Sequence, residues 1–276
     1  MTTVRIGMVN YINTAPIYEE WKTRSLPSDW QVTEAPPSTL NRLLAGDLID
    51  LGYVSSHEYA IRPEKYRILA DLSISATGPV GSVFLFSSLP PEELTDKPVL
   101  LSGQSQTSVA LVKIVLEEFI KVRPRYQTGE IYAGGRCVRD VSAVLAIGDE
   151  ALRLKNESIH PYRLDLADVW HKATGLPFVF AVFAVREEFI RNHPATLRKV
   201  WQTLIDCRDR GRERLAEISR LVAPRIPMDV TACHDYLGRI EHHLSPAHQN
   251  GLELFFTYLV RRDEAPNNAL PLKIFP

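Results

Sequence analysis

Short apolar runs alternate with helices that are apolar on one face through the first two-thirds of the chain. Val4–Val9 predicts a strand, and Ser38 begins a predicted helix that ends at Gly46. This first helix carries Leu40, Leu43 and Leu44 on one face. Further strands are predicted at Ile49–Val54, Lys97–Leu101 and Ala143–Ile147. A second predicted helix carries an apolar stripe, which consists of Val109, Val112, Val115, Leu116, Phe119 and Ile120. Such alternation predicts α/β layers with largely parallel sheets.

Two longer apolar segments, Val80–Ser87 and Phe178–Val185, enclose a complete stretch of strands and helices. We interpret them as two strands that cross between lobes. Residues 1–86 and 182–276 then form a discontinuous lobe I, and residues 87–181 form an inserted lobe II. The last third is predicted to be helical, with helices that open at Pro194 and Pro246, and the tail after Glu264 to lie over the surface.

Composition narrows the class of protein. The 276 residues are enough for two domains, and a net charge of −1 without a basic tract argues against nucleic acid or a membrane surface as partner. Cys137, Cys207 and Cys233 form no C-x-x-C motif, which favours reduced thiols. No secretory signal is recognised and no apolar run approaches the ~20 residues that span a bilayer, so we expect a cytoplasmic protein.

Hydroxyl groups are dense where a predicted strand meets the helix after it. Ser105, Thr107 and Ser108 follow Gln104 at this helix start. Unpaired N–H groups and the helix dipole make such a start a site for a carboxylate or phosphate. The alternative is that these side chains only cap the helix, and the pattern alone leaves both open.

Other turns offer weaker candidates. Gly148-Asp149 follows a predicted strand, where open α/β sheets bind ligands, although Asp149 is better explained as a helix cap. Residues 55–58 (Ser-Ser-His-Glu) could line a cleft or simply begin a helix. Asn is a common turn residue, so the pattern alone explains Asn13 as part of a turn. We interpret His242-His243 as part of a solvated helix face. No standard catalytic signature is present, so the pattern favours a closing binding protein and names no reaction.

The chain also resembles the menaquinone-biosynthesis chorismate dehydratase family of the futalosine route. The resemblance covers roughly residues 4–186 and lies in six blocks that follow in order: RIGMVNYINTAPIY, GDLIDLGYVSSHEY, GPVGSVFLFS, SGQSQTSVALVKIVL, LAIGDEALR and WHKATGLPFVFAVFAVR. It implies a two-lobed fold like that of type II periplasmic binding proteins. The implied reaction removes water from chorismate, a small dicarboxylate, and gives 3-[(1-carboxyvinyl)oxy]benzoate without a metal or organic cofactor.

Site residues follow from the same resemblance. Asn13 and Ser82 match the family's catalytic positions, and Ser105, Thr107, Ser108, Gly148 and Asp149 match its substrate-binding positions. From the turns described above we add Ser56 and Gln104 as candidate substrate-binding residues. The position of Gln106 is commonly Arg in the family, so carboxylate binding here would depend on neutral donors. We expect the substrate's own enolpyruvyl carboxylate to act as the base, with Glu58 or His57 as the alternative.

Two other functions stay open. One is a non-catalytic binder of a small carboxylated metabolite. The other is the sister 1,4-dihydroxy-6-naphthoate synthase, whose opening block usually carries Pro-Asn-Asp-Thr where this chain has Ile12-Asn13-Thr14-Ala15-Pro16. The oligomeric state does not follow from the sequence.

Overall fold

Two separate β-sheets organise the chain in a computed structural model that describes residues 3–133, 136–138, 140–226 and 228–275. The strands are β1 Val4–Val9, β2 Trp30–Ala35, β3 Leu51–Ser55, β4 Tyr66–Ala76, β5 Val83–Ser87, β6 Pro98–Ser102, β7 Arg125–Gly129, β8 Tyr132–Ala133, β9 Arg136–Cys137, β10 Ala143–Ile147, β11 Tyr162–Asp165, β12 Phe178–Arg186 and β13 Ile274–Phe275. The predicted α/β class is confirmed.

The first sheet has the order β13-β4-β12-β3-β1-β2. Strands β2, β1 and β3 pair in parallel, whereas β12 runs antiparallel to both β3 and β4. All five residues of β3 are buried, as expected of a strand that is covered on both faces. The bounds predicted for β1 are confirmed, and β3 begins two residues later than predicted.

The second sheet has the order β11-β5-β10-β6-β7. Its central strand β10 is entirely buried and has the predicted bounds. It pairs in parallel with β6 and antiparallel with β5. The carboxyl ends of β1 and β3 in one sheet, and of β6 and β10 in the other, lead into the residues that line a cleft described below.

The passages between the sheets differ in detail from the predicted crossings. Strand β5 lies in the second sheet and β12 lies in the first, so the chain changes sheet over residues 77–82 and again over residues 166–177. The division into a lobe I of residues 1–86 and 182–276 and a lobe II of residues 87–181 stays a prediction.

Helices cover both sheets and form most of the region after residue 186. They are α1 Ala15–Lys22, α2 Pro37–Ala45, α3 Ser56–Ile61, α4 Gln106–Ile114, α5 Gly148–Glu157, α6 Leu166–Thr174, α7 Glu187–Asn192, α8 Pro194–Glu213, α9 Leu215–Val222, α10 Val230–Arg239 and α11 Pro246–Arg261. The predicted starts at Pro194 and Pro246 are confirmed. The tail does more than lie on the surface, because β13 pairs in parallel with β4 and buries Phe275. Among the described residues, no helix is both long and apolar enough to cross a membrane.

Candidate active site

A cleft lies between the two sheets and contains about 540 Å³ of free space, including its open mouth. Both sheets contribute to its walls, together with the passage at residues 80–82 and Ile240, which directly follows α10. The lining residues are Val9, Tyr11, Asn13, Pro37, Ser55, Ile74, Val80, Ser82, Val83, Ser105, Ser108, Ile147, Gly148, Phe180, Ala181 and Ile240. Polar groups and apolar walls from both sheets meet in this cleft, as they do in sites for small molecules.

Asn13 enters the cleft from a short 3-10 turn that follows β1. The hydroxyl of Thr14 ties this turn together, because it lies 2.8 Å from the carbonyl oxygen of Val9 and 3.0 Å from that of Tyr11. The backbone carbonyl of Asn13 accepts a hydrogen bond of 2.7 Å from Nε2 of His242. Its side-chain Oδ1 is buried and has no partner in the described residues. A buried acceptor without a donor is costly, so a ligand hydroxyl or N–H is the natural partner.

Ser82 lies directly before β5, on the passage between the sheets, and is only 3% exposed. Its Oγ accepts a hydrogen bond of 3.0 Å from the hydroxyl of Tyr236. Its carbonyl oxygen accepts the N–H of Gly148 at 2.8 Å. The backbone N–H of Gly148, which could have faced a ligand, is therefore already used to hold Ser82.

The start of α4 provides the hydroxyl groups of the second sheet's wall. Oγ of Ser105 caps the helix, since it accepts the N–H of Ser108 at 3.2 Å, and the two hydroxyls lie 3.1 Å apart. Both residues line the cleft. Capping by Ser105 is therefore confirmed, and because both hydroxyls also border the cleft, capping does not exclude ligand binding, which stays a prediction.

Thr107 points toward α3, the helix that follows β3 of the first sheet, and does not line the cleft. It is fully buried, and its Oγ1 accepts the backbone N–H of His57 at 3.0 Å. The preceding residue Gln106 also reaches the first sheet, because its Oε1 accepts from Nδ2 of Asn41 at 2.9 Å and from Oγ of Ser55 at 3.3 Å. The first turn of α4 therefore joins the two halves of the molecule.

Gly148 and Tyr11 form another contact between the halves. Gly148 has φ +54°, and a Cβ atom there would lie 3.1 Å from Cε2 of Tyr11. The ring of Tyr11 therefore packs directly on the glycine. Its hydroxyl donates to Oε1 of Gln104 at 2.5 Å. Burial raises the pKa of Tyr11, with the carboxylates of Asp149 and Glu150 adding to the effect, so this hydroxyl stays protonated.

Four of the predicted site residues lie outside the cleft lining. Ser56 is fully buried and donates to the carbonyl of Val179 at 2.7 Å. Gln104 and Thr107 are engaged as described, and Asp149 lies beside Tyr11 in a neighbouring depression. Oδ1 of Asp149 is buried without a partner in the described residues, and burial raises its pKa. The structure brings together Asn13, Ser82, Ser105, Ser108 and Gly148.

The cleft lining carries no charged side chain and no imidazole among the described residues. Glu58, a possible base, is buried elsewhere in an ion pair of 2.6 Å with Arg62, and it also accepts from the hydroxyl of Tyr66 at 3.3 Å. His57 likewise lies outside the lining. No group of three or more His, Cys, Asp or Glu residues suited to a metal ion occurs in the described parts of the chain.

Sequence reasoning missed several residues of this site. Tyr11, Phe180 and Ile240 line the cleft, but nothing in their spacing distinguishes them from core residues. The interpretation of His242 as a solvated residue was wrong: it follows α10 in an extended segment and is 1% exposed. The signal that it belongs to the site is its contact with Asn13, which is 229 residues away in sequence.

Comparison with known proteins agrees with the fold and the cleft. Residues 4–261 match the model of a family described as menaquinone biosynthesis. A chorismate dehydratase of Thermus thermophilus is 32% identical over 91% of this chain and 93% of its own length. A chorismate dehydratase of Campylobacter jejuni is 30% identical over 70% of this chain and 75% of its own.

A solved structure supports the architecture. The periplasmic aliphatic sulphonate binding protein of Escherichia coli superposes with a TM-score of 0.68 at 14% identity, over 99% of this chain and 92% of that one. This likeness shows the fold of periplasmic binding proteins, as predicted. Because the family model spans nearly the whole chain, this chain belongs to the menaquinone biosynthesis family.

Proposed function

We propose that this chain is a chorismate dehydratase, a hydro-lyase that converts chorismate to 3-[(1-carboxyvinyl)oxy]benzoate on the futalosine route to menaquinone. The relatives from Thermus thermophilus and Campylobacter jejuni described above carry that name. The observation that carries the proposal is the chemistry of the cleft, which combines hydroxyl and amide groups with apolar walls and offers no charged side chain. Such a site can orient a reactant and stabilise charge, but it cannot supply an ordinary base.

The dehydration of chorismate requires little more than orientation of the substrate and stabilisation of the developing charge. Its C3 hydrogen is conjugated through a ring double bond to the ring carboxylate, so removal of this proton spreads negative charge into that carboxylate. The C3 electron pair then forms the C3–C4 double bond while the C4–O bond breaks, and hydroxide leaves with its bonding electrons. The proton taken from C3 returns to the leaving oxygen, so one water is lost and no net charge changes. Formation of an aromatic ring drives the reaction.

The substrate's enolpyruvyl carboxylate is the base in this proposal. It is attached through oxygen to C3 and can fold toward the C3 hydrogen. The two alternatives, Glu58 and His57, have little support, and the Glu58 carboxylate is already paired with Arg62 at 2.6 Å. Neither side chain lines the cleft.

Asn13 and Ser82 then act by hydrogen bonding. The unpartnered Oδ1 of Asn13 accepts from the C4 hydroxyl, and its amide N–H₂ holds the enolpyruvyl carboxylate. Ser82, whose Oγ already accepts from Tyr236, donates a hydrogen bond to the departing oxygen and keeps its proton. Ser105 and Ser108, at the start of α4, bind the ring carboxylate with neutral donors and the helix dipole.

The experiment is to mix the purified chain with chorismate and identify the product by NMR and mass spectrometry. We expect one aromatic product that has lost one water. Asn13→Ala and Ser82→Ala should lower kcat by at least tenfold with smaller changes in binding, as expected for interactions used in the transition state. A chain that binds chorismate without consuming it would instead be a binding protein.

A further inference from the structure

The chain from the last turn of α10 to the start of α11 contacts both proposed catalytic residues, Asn13 and Ser82. Tyr236 donates to Oγ of Ser82 at 3.0 Å, and His242 donates from Nε2 to the carbonyl oxygen of Asn13 at 2.7 Å. Both side chains are buried, at 4% and 1% exposure. Ile240, between them, lines the cleft itself.

We propose that Tyr236 and His242 are positioning residues of the dehydration reaction: Tyr236 sets the direction in which Ser82 donates its hydrogen bond, and His242 fixes the turn that aims Asn13. The proposal rests on the proposed function and goes beyond it, since neither residue touches the substrate.

The argument for Tyr236 concerns the direction of a hydrogen bond between two hydroxyls. A phenol is a better donor than an aliphatic alcohol, since its pKa is about 10. When Tyr236 donates, it occupies a lone pair of Ser82 and leaves the serine proton for the cleft. Burial raises the pKa of Tyr236, so the phenol stays neutral and keeps donating. Without this donor the Ser82 hydroxyl rotates freely, and its proton is less often directed at the departing oxygen.

The argument for His242 concerns a fixed tautomer. The carbonyl oxygen of Asn13 can only accept, so Nε2 of His242 carries the proton. Burial lowers the pKa of His242 to about 4, which keeps the ring neutral at physiological pH. The hydrogen bond holds the backbone of Asn13, the residue that carries the unpartnered Oδ1.

The segment that carries His242 is itself anchored to the first sheet. Ser73 of β4 donates its backbone N–H to the carbonyl of His242 at 3.0 Å, and its hydroxyl donates to the carbonyl of His243 at 2.6 Å. Ser75 and Glu241 exchange two backbone hydrogen bonds of 2.9 Å. These bonds tie the segment to β4 beyond the two residues that pair with β13, and they make it a support for Asn13.

Tyr236→Phe tests the first half, because it removes one hydroxyl and keeps the ring. A buried hydrogen bond contributes about 1 kcal/mol, so kcat should fall about five- to tenfold while KM stays within twofold. Tyr59→Phe is the matched control: that buried hydroxyl accepts from the N–H of Lys273, away from the cleft, and its loss should leave kcat unchanged. In a Ser82→Ala background, Tyr236→Phe should cause no further loss.

His242→Gln and His242→Asn test the second half. A glutamine amide reaches the position of Nε2 and can donate to Asn13, whereas an asparagine amide reaches only that of Nδ1. We expect the Gln variant to keep kcat within threefold and the Asn variant to lose about tenfold, both with little change in KM. Urea unfolding of both variants checks that they are folded at the assay temperature.

Three results would overturn the inference while the wild-type chain turns over chorismate. They are an unchanged kcat in Tyr236→Phe, an equal loss in the Ser82→Ala background, and equal kcat values for the Gln and Asn variants. A wild-type chain that consumes no chorismate would contradict the proposed function, and the positioning roles with it.

Discussion

Gly148→Ala tests whether the wall made by Tyr11 is part of the site. Gly148 has φ +54°, a region that costs a residue with a Cβ atom about 1–2 kcal/mol. The new methyl would also lie 3.1 Å from the Tyr11 ring, closer than ordinary van der Waals contact. Forcing the ring to move adds about 1–3 kcal/mol, as other overpacked sites do.

The control for this prediction is Gly175→Ala. Gly175 has φ +73° at the end of α6, but a Cβ atom there would meet nothing within 4 Å. Gly175→Ala therefore loses stability only through the strained left-handed backbone conformation. We expect Gly148→Ala to lower the free energy of unfolding by about 2–5 kcal/mol and Gly175→Ala by about 1–2 kcal/mol, measured by urea unfolding.

The kinetic effect should separate the two variants further. A displaced Tyr11 weakens its 2.5 Å hydrogen bond to Gln104 across the cleft. The displaced ring also changes the cleft wall that faces the substrate. A loss of about 1 kcal/mol of substrate contact there corresponds to a rise of about fivefold in KM for chorismate, whereas Gly175→Ala should leave KM unchanged. If the two variants lose equal stability and keep the wild-type KM, the contact between Tyr11 and Gly148 does not shape the site.

Three further predictions concern residues around the cleft. Glu58→Gln and His57→Asn should each keep most of the wild-type kcat, because neither side chain lines the cleft; a folded, chorismate-binding variant without turnover would identify a protein base. Thr107→Val should lower the free energy of unfolding by about 1–3 kcal/mol, since the buried N–H of His57 loses its acceptor. Ser108→Ala should instead mainly raise KM for chorismate. The reverse pattern would place Thr107 at the substrate. Burial holds the folded-state pKa of His242 at about 4, below the unfolded value of 6.5, so its contribution to stability is complete above pH 6.5 and is lost as the pH falls toward 4. Between pH 7 and pH 5 the wild type should therefore lose about 2 kcal/mol more than His242→Gln, and parallel pH profiles of the two would contradict a buried neutral imidazole.

The sequence predicted those parts of the fold that local patterns determine. Strand β10 has five consecutive apolar residues between polar turns, and its bounds agree with the prediction. Strands β5 and β12 were also recognised, but periodicity does not tell which sheet a buried strand joins. Both were therefore interpreted as crossings, although each lies within one sheet.

The residues of the site were likewise predicted only where a local pattern marks them. Ser105 and Ser108 were predicted from helix-start chemistry, and the structure places both at the cleft. Thr107 has the same chemistry and lies in the same turn, yet its hydroxyl faces His57. Only the rotation of α4 against α3 distinguishes these residues, and that rotation depends on tertiary packing. The contacts of Tyr236 and His242 span more than 150 residues of sequence and have no local signature.

The central claim is that an uncharged cleft dehydrates chorismate with the substrate's own carboxylate as the base. The most direct measurement compares chorismate with its enolpyruvyl methyl ester under single-turnover conditions, with the purified chain in excess. The account predicts that chorismate is converted to one aromatic product with loss of water, while the ester binds and is not converted. Conversion of both compounds at similar rates, or of neither, would contradict it.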